Sequence, residues 1–390
     1  MTTLRLAWLA THPIQYQAPL LRAIAQCPDI DLTALFFSDF STRGFVDPGF
    51  GRTIEWDTPL LGGYRHEFLP GTGTQVKHIN TFQPKVGGLA QKLNRRNFDA
   101  VLVQGWQHYG MVKAAWLAKR AGLKVLMRCE ATDHVSSSTG AKRLLREAVV
   151  RFLLNQVDCC LAIGTHNRNF YLARGFPAER IGFIPYCVDN DHFRDKAQAA
   201  DLDALRAQLS LIPGRPVILY ASKLMPRKFP DLLLEAYQRL PSPRPYLLYV
   251  GDGELRVKLE QMALNLGLDD VRFLGFRNQS ELPAFYALAD IFVLPSINET
   301  WGLVVNEAMN AGCAIITTDQ VGSAADLVQT GGNGFVIPGQ NVNLLAEALE
   351  GCLGQESFRN MGERSLQIIH EWGIKENIAG LRNAMGLSGN

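Results

Sequence analysis

The sequence predicts an α/β protein built from two doubly wound parallel sheets. Three observations lead there. Strand-sized apolar runs alternate with helix-patterned stretches along almost the whole chain. The runs are continuously apolar, as in parallel strands covered on both faces. Near residues 187–214 the chain turns polar and helical, and the alternation then restarts. A chain of 390 residues with 47% hydrophobic content has material for two cores.

The first half opens with "LRLAWLAT", which has one Arg and no small-residue cleavage site, so it reads as a buried strand and not a signal peptide. A helix through "YQAPLLRAIAQC" and the β-rich "IDLTALFFS" follow. Residues 40–97 interrupt the rhythm, being rich in Gly and aromatics and weak in periodicity, as functional or decorative loops are. The rhythm resumes with "FDAVLVQG", "VKAAWLAKRAG", "KVLMRCE", "AKRLLREAVVRFLLNQ", "CCLAIG" and "IGFIPY". The second half runs "PVILYAS", "DLLLEAYQRL", "YLLYVGDG", "LRVKLEQMALNLG", "VRFLGF", "IFVLPS", "AIITT" and "GFVIP". The last stretch, roughly 356–386, is helical with no strand after it. Expected domains are 1–190, 191–365 and a closing helical segment, 366–390. Ligands of open α/β sheets bind at the carboxyl ends of strands, so a site in a cleft between the domains is expected.

A net charge of +2 argues against a nucleic-acid partner. No apolar run approaches the roughly 20 residues of a membrane span. The seven cysteines lack framework spacing, and Cys159 and Cys160 sit in an apolar run, so reduced thiols and a cytosolic setting are expected. Clustered carboxylates that would suggest a metal are missing. Asp201-Leu202-Asp203 stands in a helical linker, where helix capping is the expected role.

Two charged constellations stand out. In "NETWGLVVNEAMNAG", Glu299 precedes an apolar helix and Glu307 lies within its first two turns. Such a helix start, with free N–H groups, suits a phosphate. Spacing alone favours a capping Glu299 and a solvated or ion-paired Glu307. In "LYASKLMPRKFPDLLLEA", Lys223 and Lys228 flank a Pro226 turn between a strand and a helix. They could meet phosphate oxygens or, with Arg227, form a solvated basic loop.

These residues carry a resemblance. "PSINETWGLVVNEAMNAGCAII", preceded by "VGDGELRVKLE", "VRFLGF" and "ELPAFYALADIFVLPS" and followed by "GSAADLV" and "GGNGFVIPG", resembles the retaining glycosyltransferases of family 4. The likeness is close over most of 185–355 and loose before that. It implies the GT-B fold, two Rossmann-like domains facing across a cleft, with the final helix returning to the N-terminal, acceptor-binding domain. It implies a nucleoside-diphosphate hexose donor, UDP- or GDP-linked, no metal or other cofactor, and a hydroxyl acceptor. The product would be a surface polysaccharide, a lipid-linked glycan or a glycosylated metabolite.

By resemblance, Glu307 would hold the ribose and Glu299 the transferred sugar. Thr300, Trp301, Gly302, Leu303 and Val304 would receive the sugar and diphosphate. Ser222 would also line the donor site, and Gly275, Phe276 and Arg277 would lie beside the base. Lys223 and Lys228 would neutralise the diphosphate, with Lys223 where the family has Arg. Glu130 takes the place of the family's sugar-contacting His, with Arg128 and His134 near it. "THPIQYQAP" replaces a Gly-rich loop and offers His12 and Gln15 on the sugar or acceptor side. A sugar-nucleotide epimerase of the same fold and a non-catalytic sugar-nucleotide-binding subunit are the competing readings. The helix containing Lys142, Arg143, Arg146 and Arg151 beside Leu, Val and Phe could touch an anionic membrane. The expected role is that of a domain helix whose apolar face covers the sheet, leaving its basic face in water.

Overall fold

Strands form where β-branched and aliphatic residues run together, and each run in this chain is followed by helix-forming sequence. The computed structural model describes residues 3–47, 49–71, 79–133 and 140–387. Two compact units emerge. The first contains residues 1–45, 54–186 and 374–390, and the second contains 46–53 and 187–373.

In the first unit the strands are β1 (Leu4–Ala10), β2 (Ile30–Phe36), β5 (Arg65–Phe68), β6 (Ala100–Gln104), β7 (Lys124–Arg128), β8 (Cys159–Ala162) and β9 (Ile181–Phe183). Between β2 and β5 a short ribbon pairs β3 (Phe45–Asp47) with β4 (Arg52–Ile54). The main sheet is parallel, in the order β5-β2-β1-β6-β7-β8-β9. Alternate residues of its strands face opposite cores. Leu9, Val101, Val103, Val125 and Met127 pack with Met111, Ala115, Val150 and Leu153 of two helices. On the other face Leu6, Trp8, Leu102 and Leu126 meet Leu20, Leu21 and Ile24 of helix Ala18–Ala25, and Leu381 of helix Ile374–Met385. Polar contacts help to fix that last helix. Asn377 donates to the Pro185 carbonyl at 2.6 Å, and Arg382 pairs with Asp29 at 2.7 Å.

In the second unit the strands are β10 (Val217–Ala221), β11 (Tyr246–Val250), β12 (Val271–Gly275), β13 (Ile291–Leu294), β14 (Ala314–Thr318) and β15 (Gly334–Ile337). Their order, β12-β11-β10-β13-β14-β15, is again fully parallel. Both sheets reverse direction of winding beside their first strand, at β1/β6 and at β10/β13. Such switch points open a crevice at the carboxyl ends of the strands.

The structure refines the sequence reading in three places. Residues 40–97 are not wholly irregular, because β5 joins the main sheet beside β2 and the β3–β4 ribbon interrupts the loop. "RHEF" is a polar edge strand, which apolar patterning misses. The closing helical stretch breaks between His370 and Ile374, so helix Phe358–His370 lies in the second unit and helix Ile374–Met385 in the first. Asp201 caps helix Leu202–Gln208, accepting the Ala204 N–H at 2.9 Å.

Candidate active site

The second unit places its charged residues around the β10/β13 switch point. The chain leaves β10 through Ser222 and Lys223 and turns at the 3-10 segment Pro226–Lys228. It leaves β13 through Pro295 and Ser296 to reach Glu299. The two loops are tied together, since the Ile297 N–H donates to the Arg227 carbonyl at 2.9 Å. Glu299 is fixed on its other side by the loop after β14. Its N–H donates to the Gln320 carbonyl at 3.2 Å, and its own carbonyl accepts the Gly322 N–H at 3.0 Å.

On this frame Lys228 donates a short hydrogen bond to Glu299 Oε2, and Arg227 Nη1 lies 3.3 Å from the same oxygen. The Lys228 side chain is buried. Burial holds its ammonium below the ordinary lysine range, opposed by the attraction of Glu299 and reinforced by Arg227 and Lys223. A buried cation whose only strong compensation is one carboxylate can exchange that partner for another anion.

Helix Leu303–Asn310 begins at Gly302, whose φ of +90° suits glycine and few other residues. Neither Glu299 nor any other acid caps this helix, so the capping account of Glu299 is set aside. Its first turn carries no acidic residue, and its N–H groups keep their affinity for an anion. Trp301 is pinned beneath it, donating from Nε1 to Asn306 Oδ1 at 2.9 Å and packing on Trp372.

Glu307 is neither solvated nor ion-paired. It is buried, and Tyr286 donates to its Oε2 at 2.7 Å. Burial pushes this carboxyl up to about 7, although the hydrogen bonds from Tyr286 and Gln279 pull the other way. Of the remaining residues that the sequence reading expects on the donor side, Gly275 ends β12 with φ +73°. Phe276 meets Phe50 edge-on with centroids 5.0 Å apart. Arg277 pairs with Glu281 at 3.1 Å and lies over Phe285. Ser222 donates its N–H to the Val250 carbonyl, and Thr300, Leu303 and Val304 are half-buried along the loop and helix start. Lys223 does not join Lys228 on Glu299. It makes a two-pronged pair with Asp47, at 2.8 and 2.9 Å.

The first unit gathers a different set at the ends of β1, β7 and β9. Glu130 Oε1 accepts from the Tyr16 hydroxyl at 3.2 Å and, through a short bond, from the Tyr186 hydroxyl. Tyr186 also lies 2.6 Å from the Tyr16 oxygen. The buried Arg128 stacks its guanidinium over the Tyr186 ring at 5.0 Å. Burial, followed by the charge of Glu130, raises both tyrosines above the ordinary phenol range, so both remain protonated donors. His12 is enclosed beside Phe40, with Nδ1 2.9 Å from Thr11 Oγ1, and burial lowers its imidazole to about 4. Gln15 is half-buried in the same loop. His134 lies outside the described residues. Sequence reasoning missed Tyr16, Tyr186, Tyr286 and Asp47. Of these, Tyr286 stood inside the motif "ELPAFYALAD" and Tyr16 inside "THPIQYQAP", and neither was singled out.

Among the described residues no group of three or more His, Cys, Asp or Glu is arranged to hold a metal. All seven cysteines are free. No described helix is long and apolar enough to cross a membrane.

Two parallel Rossmann-like units with a phosphate-suited helix start define a nucleotide-binding class of fold. Comparison with known families narrows it. Residues 201–366 match the family model "Glycosyl transferases group 1", and residues 60–187 match "Glycosyl transferase 4-like domain". The chain belongs to the family 4 glycosyltransferases, with the GT-B architecture.

A GDP-mannose-dependent alpha-(1-6)-phosphatidylinositol monomannoside mannosyltransferase of Mycobacterium tuberculosis is 32% identical over 60% of this chain and 63% of its own length. A D-inositol 3-phosphate glycosyltransferase of Nocardia farcinica is 30% identical over 61% of this chain and 52% of its own. The chain thus spans between about half and under two thirds of the length of these relatives. Among solved structures, Anabaena Alr3699/HepE in complex with UDP superposes with a TM-score of 0.74 at 19% identity, covering 98% of this chain and 99% of that one. A glycosyltransferase from Rickettsia africae gives 0.73 at 16% identity, covering 99% of each. These two likenesses are of fold.

Proposed function

We propose that this chain is a retaining glycosyltransferase that moves a hexose from a UDP- or GDP-linked donor to a hydroxyl acceptor without a metal. The observation that carries the reading is the buried Lys228 ammonium held by Glu299 beside an acid-free helix start. A leaving diphosphate needs positive charge where negative charge develops, and a preorganised, partly dry site makes that charge effective. In this reading the diphosphate takes over Lys228, which releases Glu299 toward the transferred sugar. Glu307, oriented by Tyr286, accepts the ribose hydroxyls. Departure of the diphosphate leaves an oxocarbenium-like centre, stabilised by the Glu299 carboxylate and the phosphate oxygens. The donor phosphate then takes the acceptor's proton. Glu130, held by two tyrosines, is assigned to the sugar or acceptor side. The names of the relatives cited above, which include mannosyl transfer to a phosphatidylinositol glycolipid, are consistent with a glycan or lipid-linked acceptor.

The test is donor consumption by the purified chain with UDP- and GDP-hexoses in excess EDTA, with the product's anomeric configuration read by NMR. Retained configuration is expected. Inversion, or strict dependence on a divalent ion, would overturn the reading.

Contact with a membrane surface is part of the same proposal. Helix Gly140–Leu154 covers its sheet with Val150, Leu153 and Leu154 only. The expectation that its apolar face is spent on the sheet is corrected, because Leu144, Leu145 and Phe152 are 73%, 69% and 46% exposed. At helical spacing these form an outward stripe with Lys142 and Arg151 on its flanks. An apolar stripe edged by cations suits an anionic bilayer. Sedimentation with phosphatidylglycerol vesicles is expected to fail for Leu145→Glu/Phe152→Glu and to weaken with salt. Equal binding to phosphatidylcholine vesicles, or none to either, would count against it.

A further inference from the structure

The β3–β4 ribbon carries contacts that no motif of the chain includes. By its contacts Val46–Thr53 belongs to the second unit. Both Asp47 carboxylate oxygens accept from Lys223 Nζ, at 2.8 and 2.9 Å. The same Oδ1 also accepts the N–H groups of Gly49 at 2.8 Å and Phe50 at 3.1 Å, which fixes the carboxylate within its own turn. Phe50 places its ring 4.8 Å from Lys223 Nζ and edge-on to Phe276. Arg52 lays its guanidinium 5.2 Å from the centre of the same Phe276 ring. The turn also lies directly on the lysine stem, since a β-carbon on Gly49 would approach Lys223 Cδ to 2.7 Å.

An ammonium does not distinguish sharply between carboxylate and phosphate oxygens, because both are anionic acceptors of the same bond. With Asp47 in place, the charge of Lys223 is neutralised and two of its hydrogen-bonding directions are used. A diphosphate offers more charge and more acceptor oxygens than one carboxylate. It can displace Asp47, whereas an uncharged sugar cannot.

We propose that Asp47, with Phe50 and Arg52 of the same ribbon, is a displaceable occupant of the donor site, Asp47 holding Lys223 until a donor phosphate takes its place. The inference rests on reading Lys223 as a phosphate-binding cation. Its consequence is a threshold. Donor affinity is reduced by the fraction of molecules in which Asp47 is bound, so a contact closed nine-tenths of the time lowers affinity about tenfold. Release of Asp47 also frees Phe50 and Arg52 from Phe276, coupling the diphosphate end of the site to the segment placed beside the base.

The experiment is calorimetric titration of inorganic pyrophosphate into the wild-type chain, Asp47→Asn and Asp47→Asn/Lys223→Met. Asparagine keeps an Oδ1 for the two turn N–H groups, so the turn survives while the charge is lost. The expected result is about tenfold tighter pyrophosphate binding in Asp47→Asn, with the gain abolished when Lys223 is also replaced. In the wild-type chain, saturating pyrophosphate is expected to speed hydrogen exchange at Gly49 and Phe50. Unchanged or weaker binding in Asp47→Asn, a gain that survives Lys223→Met, no pyrophosphate binding by any variant, or unaltered exchange would each overturn the inference. A tighter Asp47→Asn that consumes no UDP- or GDP-hexose would leave the inference standing and bring down the transferase reading alone.

Discussion

The polar centres of the two units are built by opposite means. In the second unit the partners belong to one ordered set of motifs: Lys228 with Glu299, and Tyr286 with Glu307. In the first, Glu130 is held by Tyr16 and Tyr186, which lie 114 and 56 positions away. The first kind of centre includes an ion pair, the buried Lys228 against the half-buried Glu299, beside a Glu307 held by the Tyr286 hydroxyl. The second carries one carboxylate dressed by neutral hydroxyls, with a cation stacked nearby. A buried ion pair resists loss of either member and binds a strongly charged ligand well. A hydroxyl-dressed carboxylate suits orientation of a neutral sugar hydroxyl, where a strong ion pair would cost desolvation without return.

Removing one member of each centre tests that contrast. The largest effect is expected for Lys228→Ala, which leaves Glu299 without its main partner. Turnover should fall by about 100-fold or more, and urea unfolding should show a loss of about 3 kcal/mol. A variant with ordinary turnover would dissolve the distinction between the two centres. Next comes Glu307→Ala, expected to weaken nucleoside diphosphate binding by about tenfold or more, the scale of a lost charge-assisted hydrogen bond. Titration calorimetry with UDP and GDP decides it, and unchanged affinity would move Glu307 out of the site.

Glu307 also makes a prediction about pH. Its carboxyl is raised from 4.5 to about 7 in the folded chain. Between these values the folded state keeps a proton that the unfolded chain has released. Stability therefore falls as pH rises through this window, by on the order of 3 kcal/mol, and is flat above it. Glu307→Gln should lack that fall, so urea midpoints of the two proteins measured from pH 5 to pH 8 should not run parallel. The smallest effect is expected for Glu130→Gln. Transfer should slow by about tenfold while free-nucleotide affinity stays the same. Loss of nucleotide affinity would show that Glu130 serves the nucleotide and not the sugar.

The same contrast explains what could be read before the structure. The sheets were legible because each strand is a continuous apolar run, except β5, whose "RHEF" carries no such signal. Glu299 and Glu307 could be singled out because they sit at fixed spacing around a turn and a helix that the sequence specifies locally. The burial of Glu307 and its hydrogen bond from Tyr286 were not legible, since both depend on packing between separate helices. Tyr16 and Tyr186 were invisible because single tyrosines in loops have no pattern until the fold brings them together. Asp47 was hidden for the same reason, in a Gly- and aromatic-rich stretch of weak periodicity. The stripe of Leu144, Leu145 and Phe152 was visible as apolar sequence, but which side it faced required the sheet to be placed.

The most direct measurement is thermal stabilisation of the wild-type chain and Lys228→Ala by UDP, GDP and ADP at saturating concentration, followed by their hexose conjugates. A ligand at 100 times its dissociation constant adds about 2.7 kcal/mol of stability. One nucleoside diphosphate should raise the wild-type melting temperature clearly and the Lys228→Ala variant little. A folded wild-type chain that none of them stabilises, or a variant stabilised as strongly as the wild type, would contradict a donor diphosphate site built on Lys228.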